Sequence, residues 1–218
     1  MSTRIAVIYY SSTGYVHALA QAVAEGAAET GAEVRLRRVP ELAPASAIES
    51  NPAWKAHVDA THAEVPEASV EDLDWADGYA LGTPTRYGNP TSQLKQFIDQ
   101  TGPLWAEGKL ADKAATSFTS AINAHGGAES TILAVNNVFY HWGAIIVAPG
   151  YTDQQLFAAG GNPYGTFYAS GQSGDPVSGE ALTAARIQGR RLATVASKLA
   201  TREDQDSVPA DEAAAYTS

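Results

Sequence analysis

No cysteine occurs in the 218 residues. That excludes disulfides, thiolate zinc sites and a cysteine nucleophile, and it fits a reducing compartment. Positive charge is scarce: 14 Lys and Arg stand against 24 Asp and Glu, for a formal net charge of −10. Nucleic-acid binding needs basic surface to displace counterions, so no nucleic-acid partner is expected. The acid excess reads as a solubility charge, part of it at the end of the chain in Glu203, Asp204, Asp206, Asp211 and Glu212. No apolar run approaches the ~20 residues that span a bilayer. The opening Met1-Ser2-Thr3-Arg4 leads straight into a strand-like segment and lacks the charged-then-apolar layout of a secretory leader. A soluble, cytoplasmic protein without membrane insertion is expected. Nucleotide signatures are missing too. Neither Gly-x-Gly-x-x-Gly nor a Walker lysine follows the first strand-like run, which disfavours Rossmann-type dinucleotide binding and nucleotide hydrolysis.

What is present alternates between two periods. Arg4 to Tyr10 is an apolar, β-branched and aromatic run that suits a strand buried on both faces. From Val16 to Thr30 the period becomes helical, with Val16, Leu19, Ala20, Val23, Ala24 and Ala27 on one face and Gly31 as the expected C-cap. Glu33 to Val39 reads as a second strand that Pro40 ends. A β-α-β start of this length opens a doubly wound parallel sheet. Residues 40–69 read as a long loop with a helical turn near Ser50 to Val58. Further strands are expected at Gly78–Gly82, Lys113–Thr119 and Ala144–Val147, making five. Helices are expected at Val70–Trp75, Thr91–Thr101, Ala128–His141 and Ser178–Ala200, the last capped by Ser178 with Glu180 in its first turn. Residues 149–175 show no strong period. The expectation is one domain over residues 1–200, with helices on both faces of the sheet, and a disordered acidic tail over 201–218.

Three polar loops follow three of these strands, at 11–16, 83–89 and 120–127. In a parallel sheet they converge at the carboxyl ends of the strands, where ligands bind. The first, Ser11-Ser12-Thr13-Gly14, joins three hydroxyls to the start of a helix. Such a turn can hold a phosphate, for instance that of FMN, on backbone N–H groups. The same residues also suit an ordinary helix cap. The second, Thr83-Pro84-Thr85-Arg86-Tyr87-Gly88-Asn89, offers amides and a cation that would stabilise negative charge on a reduced flavin ring. Arg86 alone reads equally as a solvated side chain. The third, Ser120 to Gly127, carries His125, which by itself reads as a surface histidine.

The motifs together resemble the WrbA family, the type IV NAD(P)H:quinone oxidoreductases. The matching stretches include Tyr9-Tyr10-Ser11, Ala22 to Ala27, Arg38-Val39-Pro40-Glu41, Gly82 to Asn89, Phe97 to Gly102, Leu104-Trp105, His125-Gly126-Gly127 and Pro163-Tyr164-Gly165. They occur in family order over roughly residues 4–200. The resemblance implies a flavodoxin-like fold and one non-covalent FMN. It implies NADH or NADPH as hydride donor and ping-pong two-electron reduction of a quinone. It also implies a homotetramer, a dimer of dimers, whose subunits close one another's sites. Family FMN contacts fall on Ser11, Ser12, Thr13, Gly14, Tyr15 and Val16 for phosphate and ribityl. They fall on Pro84, Thr85, Arg86, Tyr87, Gly88 and Asn89 for the ring, and on Ser120, Ala121, Ile122, Asn123, Ala124, His125 and Gly126 for its far edge. Thr13 matches a nicotinamide contact, and Trp105 matches a substrate contact made from a neighbouring subunit. No metal site is expected.

The chain departs from the family at several of these positions. Thr13 stands where relatives usually carry an aromatic. His141-Trp142 stands where they carry two histidines, the second bordering the flavin, so Trp142 is expected either over or beside the ring or narrowing the quinone site. Ala121, Ile122 and Ala124 replace hydroxyl or polar residues, which shifts flavin hydrogen bonds to backbone. No general-base dyad is expected, since the flavin carries the chemistry. His125 and His141 are candidate proton donors. Two alternatives follow from the departures at Thr13 and Trp142: a flavin-bound regulatory protein with little turnover, and a reductase specialised for one aromatic metabolite.

Overall fold

The computed structural model describes residues 2–206, with side chains described to residue 200. Strands are β1 Arg4–Tyr9, β2 Glu33–Arg38, β3 Gly78–Pro84, β4 Ala114–Ala121, β5 Ile145–Ile146 and β6 Phe167–Ala169. Helices are α1 Tyr15–Ala28, α2 Ala45–Glu49, α3 Pro52–Thr61, α4 Val70–Trp75, α5 Ser92–Asp99, α6 Gly102–Ala106, α7 Ala128–Trp142, α8 Gln155–Ala158 and α9 Gly179–Asp206. The sheet order is β2-β1-β3-β4-β5, with every pairing parallel.

Alternation along the strands sorts the core into two layers. Ile5, Val7 and Tyr9 face α1 and α9, while Ala6, Ile8 and Tyr10 face α4, α5 and α7. On the first face, α1 and α9 meet backbone to backbone. A Cβ on Gly26 would stand 2.0 Å from the Arg186 carbonyl oxygen, and one on Gly189 would stand 2.0 Å from that of Val23. Ion pairs Arg186–Glu25 and Arg190–Glu29 flank this contact.

The fifth strand, expected at Ala144–Val147, is β5, and the structure adds a sixth, β6, along the same strand β4. β5 pairs with the start of β4 at Ala114 and Ala115, and β6 pairs with its end at Thr119 to Ala121. The segment between them, residues 148–165, leaves the sheet. Gln188 of α9 fills the gap: its amide nitrogen donates to the Ser117 carbonyl (2.9 Å) and the Thr116 hydroxyl (2.7 Å). Its amide oxygen accepts from Thr166 N–H at 2.7 Å. Buried backbone groups without a strand neighbour need such a partner.

The loop expected over 40–69 contains α2 and α3, and α3 begins at Pro52 behind the N-cap Asn51. The last helix runs to Asp206 instead of ending at Ala200, so residues 201–206 are helical where a disordered tail was expected. The remainder of that expectation, residues 207–218, lies outside the described residues. Among the described residues, no helix is long and apolar enough to cross a membrane.

Candidate functional site

The three polar loops do converge. Together they enclose a cavity of about 450 Å³ at the carboxyl ends of β1, β3 and β4, a size typical of small-molecule and cofactor pockets. The first loop contributes Ser11, Ser12, Thr13, Tyr15 and Val16, the second Pro84, Thr85 and Arg86, and the third Ser120, Ala121, Ile122, Asn123 and Gly126. Asn51 and Ser170 complete the wall.

The first turn is shaped as an anion cradle instead of a capped helix start. Gly14 is the N-cap residue of α1, and no side chain caps the helix. The Ser11 hydroxyl instead accepts from Gly14 N–H at 3.1 Å, closing the turn on itself. Gly14 sits at φ 94, a left-handed conformation that strains residues with a Cβ. The first-turn N–H groups of α1 and the positive end of its dipole therefore remain available to an anion.

The second loop is a tight hairpin. Arg86 and Asn89 exchange both backbone hydrogen bonds, at 2.8 and 3.0 Å, with Tyr87 at φ 54 and Gly88 at φ 76 between them. Positive φ at both central residues defines the turn type that matches strand twist. Thr85 braces it, accepting from Gly88 N–H and sharing a 2.6 Å hydrogen bond with Thr131 of α7. The third loop touches the hairpin where glycine replaces side chain: a Cβ on Gly127 would stand 2.9 Å from Gly88 Cα. Behind the third loop, Ser170 N–H donates to the Ala121 carbonyl and Gly171 N–H to that of Ile122, both at 2.8 Å.

Among the described residues, Arg86 is the one cation in the lining, and no carboxylate lines it. Ser11, Ser12, Ser120 and Ser170 hold buried hydroxyls there. Amides, hydroxyls and one guanidinium without a carboxylate suit an anionic, hydrogen-bonding ligand such as a phosphomonoester.

Other expected site residues fall elsewhere. Tyr87 is fully exposed, and Gly88, Asn89, Ala124 and His125 lie in the loops without lining the cavity. Trp142 is a correction. It is 6% exposed and packs in the core, its ring 5.6 Å from that of Tyr79 and 6.0 Å from that of Phe139. It ends α7 just before β5, which pairs with the first residues of β4. That is the opposite end of the sheet from the cavity. Trp105 and His141 lie there too, joined by a 2.9 Å hydrogen bond from the indole N–H to the His141 carbonyl. Within one chain, His141 is therefore no proton donor to this cavity.

A half-buried hub fixes the wall that sequence reasoning missed. Glu41 accepts from the Tyr10 hydroxyl (2.8 Å), the Trp54 indole (3.1 Å), the Gln93 amide (2.8 Å), and the Leu42 and Ala43 N–H groups. It thereby ties the end of β1 to α3, which carries Asn51, and to α5. Burial works against its charge, but these donors hold its pKa below the ordinary value.

A doubly wound parallel sheet with an anion-ready turn at its carboxyl edge defines a flavodoxin-like protein. The chain belongs to the NADPH-dependent FMN reductase family, whose pattern matches residues 3–154. Over 196 residues it is 43% identical to a Deinococcus radiodurans protein named NAD(P)H dehydrogenase (quinone), covering 90% of this chain and 96% of that one. A Geotalea uraniireducens protein of the same name is 41% identical over 203 residues, covering 90% and 99%. Among solved structures, a flavodoxin, WrbA-like protein from Agrobacterium tumefaciens superposes with a TM-score of 0.65 at 25% identity, covering 90% of this chain and 99% of that one.

Proposed function

We propose that the chain is an FMN-dependent NAD(P)H:quinone oxidoreductase of the WrbA type. The observation that carries this reading is the uncapped α1 N-terminus opening on a carboxylate-free cavity, in a chain of this family. When bound, FMN supplies the redox chemistry, taking a hydride from NADH or NADPH and returning two electrons to a quinone.

The protein's part is to hold and orient. The Ser11–Val16 turn takes the phosphate on its N–H groups and hydroxyls. Pro84 to Arg86 and Ser120 to Gly126 frame the ring. Arg86 places positive charge where reduction adds negative charge. No side chain need act as a general base, and quinol protons come from solvent or from the exposed His125 loop. Donor and acceptor use one site in turn, which gives ping-pong kinetics. The active form is a cytoplasmic homotetramer, in which the exposed Trp105, remote from its own chain's cavity, meets a neighbour's site only through assembly. The reading of a pocket specialised by Trp142 loses its support, since that side chain fills the core.

The test is the absorbance spectrum of the purified protein, followed by NADH and NADPH oxidation with benzoquinone. Flavin bands and quinone-dependent turnover are expected. Flavin bands without turnover under either donor would leave a flavin-binding protein and refute the reductase.

A further inference from the structure

The long segment between β2 and β3 lies outside the three cavity loops, yet it sends one residue to the cavity. Of residues 40–69, only Asn51 lines it. That residue is also the N-cap of α3, and the cap fixes which way its amide faces. Its Oδ1 accepts from Ala53 N–H at 3.1 Å and from Trp54 N–H at 3.2 Å. In a carboxamide the oxygen accepts and the nitrogen only donates, so these two donors assign the orientation. The nitrogen stands on the other side of the same planar group, turned away from the helix. Among the described residues it has no hydrogen-bond partner.

Helix α3 is laid along the β1–α1 turn. Just past Asn51, the Trp54 indole donates to Glu41, which also accepts from Tyr10, the residue before Ser11. Further along, His57 faces the Ser11 backbone and puts its Nδ1 3.6 Å from where a Cβ on Gly14 would stand. The helix that carries Asn51 is therefore fixed against both ends of the turn, and Asn51 shares the cavity lining with Ser11, Ser12 and Thr13.

We infer that Asn51 is a phosphate-binding residue: its Nδ2 donates to an oxygen of the cofactor phosphate seated in the Ser11–Val16 turn. The inference rests on the FMN reading above and adds to it a contact from outside the three loops. The turn offers hydroxyls and amides, and Arg86 reaches it through Ser12. Asn51 adds a neutral donor from a third element. A donor bonded to an ionised acceptor is stronger than one in a neutral pair. Two cap bonds already hold this amide, so little side-chain freedom is lost when the phosphate arrives.

The cap also makes the test specific. Asp and Ser are about as good as Asn at an N-cap, so either keeps an oxygen for Ala53 and Trp54. Asn51→Ser removes the outward donor, and Asn51→Asp puts a carboxylate oxygen in its place. The experiment is calorimetric titration of full-length apoprotein with FMN and with riboflavin at pH 7.5 in 0.15 M salt. Asn51→Ser should lose about fivefold in FMN affinity, one ordinary hydrogen bond. Asn51→Asp should lose a further factor of about five, from like charges near 4 Å apart. Both variants should bind riboflavin within twofold of wild type, and their denaturation midpoints without flavin should match it. Equal losses for both flavins, or an Asn51→Asp protein that binds FMN as tightly as wild type, would overturn the inference. Wild type alone gives a second readout that no folding defect can blur. The Asn51 side-chain amide proton resonances should lie further downfield with FMN bound than with riboflavin bound, and identical positions would also overturn it. If wild type binds neither flavin, the cofactor reading fails and takes the inference with it; flavin binding without a phosphate-specific loss defeats the inference alone.

Discussion

Arg86 reaches across from the loop after β3 to the loop after β1, its guanidinium donating to the Ser12 hydroxyl at 3.4 Å. A second nitrogen of the same group donates to the Thr85 carbonyl at 3.0 Å. The cation is thus held between the turn and the hairpin. Arg86→Gln keeps a hydrogen-bonding group and removes the charge. Because Arg86 is exposed, the loss is about 1 kcal/mol, or roughly fivefold in FMN affinity. Quenching of flavin fluorescence on titrating apoprotein measures it. Unchanged affinity in 0.15 M salt would remove Arg86 from the cofactor's contacts.

Glu41 makes the wall of the cavity sensitive to acid. Its pKa is lowered by folding from 4.5. A carboxylate of this kind adds stability that is fully present above the unfolded value and disappears as pH falls through the folded value. Wild type should therefore lose stability below about pH 5, and Glu41→Gln should show a flatter acid limb. At pH 7 that variant leaves donors from Tyr10, Trp54 and Gln93 facing an amide, at a cost of ~2 kcal/mol. Denaturant midpoints at pH 4 and pH 7 separate the two effects. An equally steep acid limb in Glu41→Gln would show that other carboxylates carry it.

Trp142 fills core beneath the far end of the sheet. Trp142→Ala should cost 3 kcal/mol or more, the ordinary effect of deleting a buried tryptophan. Flavin affinity of the protein that remains folded should stay within twofold, since Tyr79 and Phe139, not the cavity, lose their partner. Chemical denaturation and flavin titration of the same sample check both halves. A stable variant with weakened flavin binding would place Trp142 at a neighbour's site instead.

Much of this fold was legible because two periods dominate it. β1 alternates Ile5, Val7 and Tyr9 against Ala6, Ile8 and Tyr10, and both sets are buried, as a central parallel strand requires. The convergence of loops 11–16, 83–89 and 120–127 followed from parallel topology alone. The sixth strand, β6, did not. Phe167–Ala169 is too short to show alternation, and what replaces the missing strand is a side chain, Gln188, remote in sequence. Asn51-Pro52 is a readable helix start, an N-cap with proline at the first helical position. Its place in the cavity wall depends on Glu41 gathering Trp54, and no local pattern encodes that. Trp142 was misplaced because a motif match identifies a position without saying at which end of its helix the site lies.

The central claim is that this cavity carries FMN between a nicotinamide and a quinone. It is tested most directly by two half-reactions, followed separately without oxygen. One equivalent of NADH or NADPH should bleach the flavin absorbance of the purified protein, and one equivalent of benzoquinone should then restore it, with no ternary complex required. A flavin that neither nicotinamide bleaches, or one that stays bleached in the presence of benzoquinone, would contradict the account.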